Sequence, residues 1–178
     1  MVVTLPPSSI SYASKDHDGS FSVSWNKVSS ATSYKLQQRF GSGNWSTVYT
    51  GSSTSAWMSG RADGTYYYRV IACRGSSCSS PRDKGNYTMR VIRPNLNAYW
   101  SPNYLTRSGT GTLKWNATGA DKCSSSYLGS NAAASGSKNV YIGSTITHTV
   151  TCYFGSQSIS KSAKITVKYS GGGGGVEF

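Results

Sequence analysis

The spacing of the four cysteines constrains the fold of this 178-residue chain more than any other feature of its sequence. Cys73 and Cys78 fall in one run of alternating apolar and polar residues, and Cys123 and Cys152 fall in another. None of them belongs to a C-x-x-C motif or a Cys/His cluster, so we predict disulfides rather than a zinc site. Among the three possible connectivities, we choose Cys73 with Cys78 and Cys123 with Cys152, which keeps each bridge within one domain. Disulfides of this kind indicate an oxidising compartment.

The chain length predicts two domains of about 90 residues each, a size that can bury its own core. We place the first domain at residues 1–92, the second at residues 93–170 and a glycine-rich tail with linker composition at residues 171–178. Ser, Thr, Val and Tyr are frequent and turn residues recur every ten or so positions, which favours strands over helices. We therefore predict an all-β fold class with two tandem antiparallel β-sandwiches.

Period-two alternation marks the inward faces of the strands in the first domain. These faces are Phe21, Val23 and Trp25, then Tyr34, Leu36, Gln38 and Phe40, then Tyr66, Tyr68, Val70 and Ala72, and finally Tyr87, Met89 and Val91. Trp25, the Tyr-Lys-Leu strand that starts at Tyr34 and the run from Asp63 to Ala72 resemble a fibronectin type III module over residues 5–92. The resemblance implies a sandwich of seven strands and gives Tyr66 the tyrosine-corner role, in which its hydroxyl bonds the preceding loop backbone. It also implies a stapled hairpin at Cys73 and Cys78.

The second domain shows the same period of two. Its inward residues are Leu96, Ala98 and Trp100, then Leu113, Trp115 and Ala117, then Ile146, His148, Val150, Cys152 and Phe154, and finally Ile159, Ala163, Ile165, Val167 and Tyr169. The segment 111–120, followed by Cys123 and by residues 147–152, is similar to the immunoglobulin-like repeats of bacterial secreted and surface proteins. Cys123 lies past the Trp115 strand, so we expect its bridge to tether a loop or the start of the third strand to the sixth strand.

Few residues of this sequence are suited to catalysis. There are six carboxylates and two histidines in the chain, too few to assemble paired acids or an oriented base with ease. The one dense cluster, residues 16–19 (Asp-His-Asp-Gly), could bind calcium or a transition metal, but we interpret it as a polar turn. His148 lies on an inward face, which favours a hydrogen-bonded structural histidine. We predict that the chain is not an enzyme and has no catalytic residues, no metal site and no cofactor.

The positive charge of the chain is a hint to its partners. The net charge is +12, divided evenly, since residues 1–92 carry ten basic and four acidic groups and residues 93–178 carry eight and two. The candidate anion contacts form a stripe near the end of the first domain: Arg69, Arg74, Arg82, Lys84, Arg90 and Arg93. Such a stripe suits lipopolysaccharide, acidic polysaccharide, teichoic acid or nucleic acid. Solubility and protection of strand edges explain the same charges, and no nucleic-acid motif accompanies them.

Several aromatic residues fall in loops or on the outward phase of their strands. These candidate glycan or partner contacts are Trp57, Tyr67, Tyr99, Tyr104 and Tyr127. Exposed rings stack on sugar faces and are frequent at protein interfaces. Cross-strand aromatic pairs also stabilise sheets without binding anything, so both interpretations stay open.

These observations favour a non-enzymatic structural or adhesive module that is extracellular: secreted, on a bacterial surface or on a phage virion. The residues after Met1 do not form a secretory signal, so we leave open a signal already removed, a fragment, or another route of export. The expected partners are a polysaccharide or cell-surface glycan, or neighbouring copies in an assembly, without membrane insertion. The alternatives are a carbohydrate-binding accessory module of a secreted hydrolase and a binder of nucleic acid or another polyanion.

Overall fold

The computed structural model describes residues 5–168, and their regular structure consists of strands. The predicted all-β fold class is confirmed. The chain separates into two compact units, with the boundary between Arg93 and Pro94. Among residues 5–168, no helix is long and apolar enough to cross a membrane. The predicted tail at residues 171–178 and the predicted inward position of Tyr169 lie outside the described residues.

The described part of the first unit contains ten strands, several of them only two residues long. They are β1 (Ile10–Ser11), β2 (Lys15–Asp16), β3 (Phe21–Trp25), β4 (Ser33–Phe40), β5 (Ser46–Gly51), β6 (Ser55–Met58), β7 (Gly64–Arg74), β8 (Ser77–Cys78), β9 (Arg82–Asp83) and β10 (Met89–Val91). The smaller sheet has the order β1-β3-β6, and the larger one has the order β2-β10-β7-β4-β5, with β8 and β9 also paired to β7. The segment of residues 10–16 therefore contributes β1 to the smaller sheet and β2 to the larger one.

Alternating residues of both sheets meet in a single core, as the period of two predicts. Val23, Leu36 and Val70 have no exposed surface. The inward prediction is wrong at two positions. Phe40, the last residue of β4, is 51% exposed, and its ring contacts Tyr66 with 5.0 Å between the ring centroids. Tyr87 is exposed because it lies in a turn and β10 begins only at Met89.

The tyrosine corner that the resemblance implies is confirmed. The Tyr66 hydroxyl donates a hydrogen bond of 2.9 Å to the backbone carbonyl of Ala62, in the loop before β7. The Cys73–Cys78 disulfide closes the hairpin of β7 and β8, where the two residues are direct cross-strand partners. Together these two contacts fix both ends of β7, the central strand of the larger sheet.

The second unit contains eight strands among its described residues. They are β11 (Asn95–Ser101), β12 (Tyr104–Leu105), β13 (Gly109–Thr118), β14 (Lys122–Ser125), β15 (Gly129–Ala132), β16 (Ser135–Ile142), β17 (Ile146–Phe154) and β18 (Gln157–Val167). The smaller sheet has the order β11-β13-β16 and the larger one the order β12-β18-β17-β14-β15. The first unit has the same strand order when its short strands β8 and β9 are left out. The topology therefore gives no reason to assign the two units to different sandwich families.

The Cys123–Cys152 disulfide joins two neighbouring strands of the larger sheet in the second unit. Cys123 on β14 is the register partner of Cys152 on β17, and both side chains are fully buried. The bridge therefore lies within one sheet and does not pin the two sheets together. Trp100 and Trp115 occupy the core beside it, and their indole N–H groups donate to backbone carbonyls at 3.2 and 2.9 Å.

His148 lies in the core of the second unit, as its inward phase predicts. Its ring stacks on Tyr127 with 4.2 Å between the ring centroids and meets Trp100 edge to face. The expectation of a hydrogen-bonded histidine is not met at Nε2, which is buried and has no hydrogen-bond partner among the described residues. Burial lowers the pKa of His148 below its usual 6.5, because the apolar surroundings disfavour the charged ring.

Candidate functional site: an arginine and aromatic cluster on the first unit

A cluster of arginine and aromatic side chains lies on the outer face of the larger sheet in the first unit. Arg39 on β4 is the register partner of Tyr67 on β7, and Gln37 is the partner of Arg69. Tyr67 and Arg69 alternate with buried residues of β7, and Gln37 and Arg39 are their cross-strand partners, so these four side chains point away from the core. Trp45 lies in the β4–β5 turn region, directly before β5. We call Arg39, Trp45, Tyr67 and Arg69 the arginine-aromatic stack.

Rings and guanidinium groups alternate along the stack. The Arg39 Cζ atom lies 4.2 Å from the centroid of the Tyr67 ring and 5.2 Å from that of Trp45. The Arg69 Cζ atom lies 4.3 Å from the Trp45 centroid. Each contact of this kind is worth about 0.5–1 kcal/mol at an exposed site. The stack therefore holds two cations in fixed positions that are only partly buried.

The two guanidinium groups keep most of their hydrogen-bonding capacity. Arg69 Nε donates to Gln37 Oε1 at 2.7 Å, which orients its plane. Arg39 Nε is buried without an acceptor among the described residues. Within residues 5–168, neither arginine takes part in an ion pair. Since each guanidinium has five N–H donors in a planar fork, the stack presents unfilled donors suited to a planar anion.

A recess of about 230 Å³ lies beside the stack. Its lining combines the stack with Tyr12, Tyr68, Asp83, Gly85 and Tyr87. The Tyr12 hydroxyl donates to the Tyr87 carbonyl at 3.0 Å, and the Tyr68 hydroxyl donates to Gln38 Oε1 at 2.8 Å. Burial raises the pKa of Tyr12 to about 12 and also raises the pKa of Tyr68. Both phenols are therefore neutral at physiological pH.

A second recess of about 440 Å³ lies on the other side of the Asp83–Gly85 turn. Arg82 and Lys84 line it, together with Ser9 and Ile10. The Lys84 ammonium lies 3.6 Å from the centroid of the Tyr87 ring. Asp83 and Gly85 line both recesses, so basic groups flank this turn on either side.

The predicted basic stripe is divided in the structure. Arg69, Arg82 and Lys84 lie at the two recesses, whereas Arg74 and Arg90 lie near opposite ends of β7. Arg90 is paired beside Thr65, nine residues before Arg74, which places the two about 30 Å apart along the strand. Arg93 is in an ion pair with Asp63 and also donates to the Arg61 carbonyl at 2.7 Å.

The predicted aromatic contacts have different surroundings. Trp57 and Tyr99, on the outward phase of their strands, are exposed by 67% and 47% of their surface. Tyr104, predicted to lie in a loop, is 56% exposed and begins the two-residue strand β12. Tyr67 is partly buried under Arg39. The expectation of a free ring is wrong for Tyr127, which packs against the core of the second unit and stacks on His148.

The acidic cluster of residues 16–19 forms a turn in the structure. One Asp16 carboxylate oxygen accepts backbone N–H groups of Asp18, Gly19 and Ser20, and Gly19 has a φ of 82°. The His17 ring nitrogen Nδ1 lies 2.9 Å from the Ile92 carbonyl oxygen. Within residues 5–168, no group of three or more Cys, His, Asp or Glu side chains could hold a metal ion.

Three members of the candidate site could not be found from the sequence. Arg39 and Gln37 lie on the outward phase of β4, and Trp45 lies in a turn region, so period-two reasoning gives them no common location. Their common location follows from the pairing register of β4 with β7, which places Arg39 beside Tyr67 and Gln37 beside Arg69.

The fold of the chain is similar to that of several solved structures. A two-domain fibronectin type III segment from chicken tenascin is 16% identical, with a TM-score of 0.49, over 91% of this chain and 99% of that one. The chicken CNTN1 FN1-FN3 domains are 12% identical, with a TM-score of 0.41, over 93% of this chain and 67% of that one. The twitchin kinase region from C. elegans is 22% identical, with a TM-score of 0.41, over 47% of this chain, which spans 16% of that structure.

No protein-family model matches the sequence, and no curated protein is similar enough to count as a relative. The three structural likenesses are weak. The fibronectin type III-like fold of the first unit is therefore assigned from the strand order of its two sheets and from the Tyr66 corner.

Proposed function

We propose that the chain is a non-enzymatic, extracellular adhesive module that binds anionic polysaccharide through the arginine-aromatic stack. One observation carries the proposal: on an outer sheet face, Arg39 is held between the rings of Tyr67 and Trp45 and Arg69 lies against the Trp45 ring, and neither is in an ion pair with a carboxylate among residues 5–168. Guanidinium groups in this state form short, charge-assisted hydrogen bonds to carboxylate, sulfate or phosphate oxygens.

The disulfides support an extracellular location. Cysteine pairs form and persist in oxidising compartments, and the chain has two disulfides, Cys73–Cys78 and Cys123–Cys152. A bacterial surface, a secreted protein or a phage virion supplies such a setting. We also propose that the second unit is related to bacterial immunoglobulin-like repeats and that the two units act as tandem domains.

The surroundings of the carboxylates favour binding over turnover. Asp16, Asp83 and Asp121 accept backbone N–H groups, and Asp63 is paired with Arg93. A general acid or base must reach a reacting atom with a suitable pKa. The residues that line the recess supply two cations, neutral phenols and one carboxylate, and these groups are suited to binding a ligand.

The proposal is tested with the full chain on immobilised polygalacturonate and on immobilised dextran, a neutral polymer. We expect retention on the acidic polymer alone and its steady loss as sodium chloride increases. New reducing ends, measured in the same samples, should not appear. Equal retention on dextran, or release of sugar from the polymer, contradicts the proposal.

A second candidate function is assembly with other copies through an edge strand. β5 lies at the edge of the larger sheet and carries no charge and no proline over Ser46–Gly51. Uncharged edge strands without proline are prone to pair with other chains. Light scattering of the full chain and of Thr50→Lys tests this candidate: we expect association that the added charge suppresses. A wild-type chain that is monomeric at high protein concentration removes it.

A further inference from the structure

We infer, on the basis of the proposed function, that the recess beside the arginine-aromatic stack binds the carboxylate of a uronic acid residue. Arg39 and Arg69 supply the donors, and the Tyr87 ring, which is 36% exposed and has the Lys84 ammonium over one face, lines the recess beside them. The ligand class is an acidic polysaccharide with one carboxylate on each charged sugar, in preference to a polysulfate or a nucleic acid.

The stack fixes the two arginines before any ligand arrives. Both guanidinium carbons lie within 5.2 Å of the centroid of the Trp45 ring, and Gln37 holds Arg69 through its Nε atom. Two nearby forks can each donate to an oxygen of one carboxylate, since the fork matches the planar geometry of that group. Side chains that are already ordered lose little rotamer freedom on binding, which increases affinity.

The recess is positively charged and contains one carboxylate. Two guanidinium groups and the Asp83 carboxylate line it, and the Lys84 ammonium lies over the rings of Tyr12 and Tyr87, which line it as well. One oxygen of Asp83 accepts the Gly85 N–H at 3.0 Å, and its remaining capacity suits a sugar hydroxyl. A densely charged polysulfate or nucleic-acid backbone brings further negative charges toward Asp83, and like charges repel at this range.

The size of the recess limits how much of the ligand it encloses. Its volume of about 230 Å³ is below the roughly 300 Å³ at which pockets for drug-sized molecules begin. It therefore suits one sugar residue that remains open to solvent. Across the Asp83–Gly85 turn, Arg82 and Lys84 line the second recess, where the carboxylate of a following sugar in the polymer can bind.

Calorimetric titration of the full chain with tetragalacturonate tests the inference. The matched ligands are its methyl ester, which has the same sugars without the charges, and a heparin-derived tetrasaccharide. We expect binding of tetragalacturonate, no measurable binding of the ester and weaker binding of the sulfated sugar. Arg39→Gln and Arg69→Gln should each weaken binding by about ten- to a hundredfold. Arg74→Gln removes the same charge from an exposed hairpin position that does not line the recess, and we expect less than about a twofold change.

The variant Asp83→Asn tests ligand preference without removing a contact that holds the fold. Asparagine keeps an oxygen that can accept the Gly85 N–H, so the turn is retained. We expect this variant to bind the sulfated tetrasaccharide at least about fivefold more tightly than wild type does, since the repulsion is removed. If circular dichroism shows that the arginine variants are unfolded, Asp83→Asn decides the matter. The inference is overturned if this variant keeps the wild-type preference for tetragalacturonate over the sulfated tetrasaccharide.

Failure of the inference is distinguishable from failure of the proposed function. Equal losses in Arg39→Gln and Arg74→Gln, or equal binding of the ester, show that the recess is not the site although the chain still binds acidic polymer. A wild-type chain that binds neither tetragalacturonate nor immobilised polygalacturonate overturns both.

Discussion

Removal of the Cys123–Cys152 bridge should destabilise the second unit far more than the first. In the chain-entropy model, the loop of 29 residues makes the bridge worth about 3.6 kcal/mol, whereas the separation of 5 between Cys73 and Cys78 makes that bridge worth about 2 kcal/mol. Cys123→Ala/Cys152→Ala also leaves space at two fully buried positions, which adds to the loss.

Hydrogen exchange followed by mass spectrometry measures this loss in the full chain, because peptides from β17 and from β7 report on different units. A loss of about 3.6 kcal/mol accelerates the slowest amides of β17 by several hundredfold, provided that they exchange through unfolding of the unit. Domains are marginally stable, so this is a large fraction of the total. We expect the amides of β7 to keep their protection.

The matched control is Cys73→Ala/Cys78→Ala, which should accelerate exchange in β7 by about thirtyfold and leave β17 unchanged. Similar effects of the two double variants on both strands would refute the reasoning, since they mean that the bridges do not act within separate cores. Unchanged exchange in β17 after loss of its bridge would refute it as well.

Three further predictions concern single residues. Tyr66→Phe removes the hydroxyl that bonds the Ala62 carbonyl, and we expect a loss of about 1 kcal/mol in urea unfolding, against no loss for Tyr141→Phe at a largely exposed ring. His148 has a lowered pKa in the folded state, so the second unit should be most stable above pH 6.5 and lose stability as the pH falls further; thermal unfolding of His148→Phe should not show this slope. Lys138 lies on the inward phase of the edge strand β16, opposite Leu113, and Lys138→Val should promote self-association that sedimentation detects.

Each of these predictions has a clear contrary result. Equal destabilisation by Tyr66→Phe and Tyr141→Phe means that the corner hydrogen bond contributes nothing measurable. An acid slope that persists in His148→Phe assigns the pH dependence to other groups. A monomeric Lys138→Val variant shows that this charge does not protect the edge.

The alternation of apolar and polar residues predicted the fold well, because successive side chains of a pleated strand point alternately to the core and to solvent. The inward phases of β3, β7 and β11 follow from their apolar positions, and Val23, Val70 and Leu96 are buried accordingly. The period of two cannot show where a strand ends. Phe40 continues the inward phase of β4 but is half-exposed at its last position, and Tyr87 lies in a turn.

The candidate site was only partly predictable, since it depends on contacts between strands. Arg69 was found from its charge and Tyr67 from its outward phase, but their connection through Arg39 and Trp45 depends on the register of β4 with β7 and on the β4–β5 hairpin. Charge counting could not show that Arg93 is in an ion pair with Asp63. The sequence also gave no sign that both units share one strand order, because their residues resemble different sandwich families.

The most direct test of the recess is an NMR titration that observes the arginine Nε–H groups of the full chain during addition of tetragalacturonate. We predict saturable shifts of the Arg39 and Arg69 signals and of the Trp45 indole N–H, with those of Arg74 and Arg90 unchanged. Shifts of equal size at all the arginines, or none at Arg39 and Arg69, would contradict the proposed mode of binding.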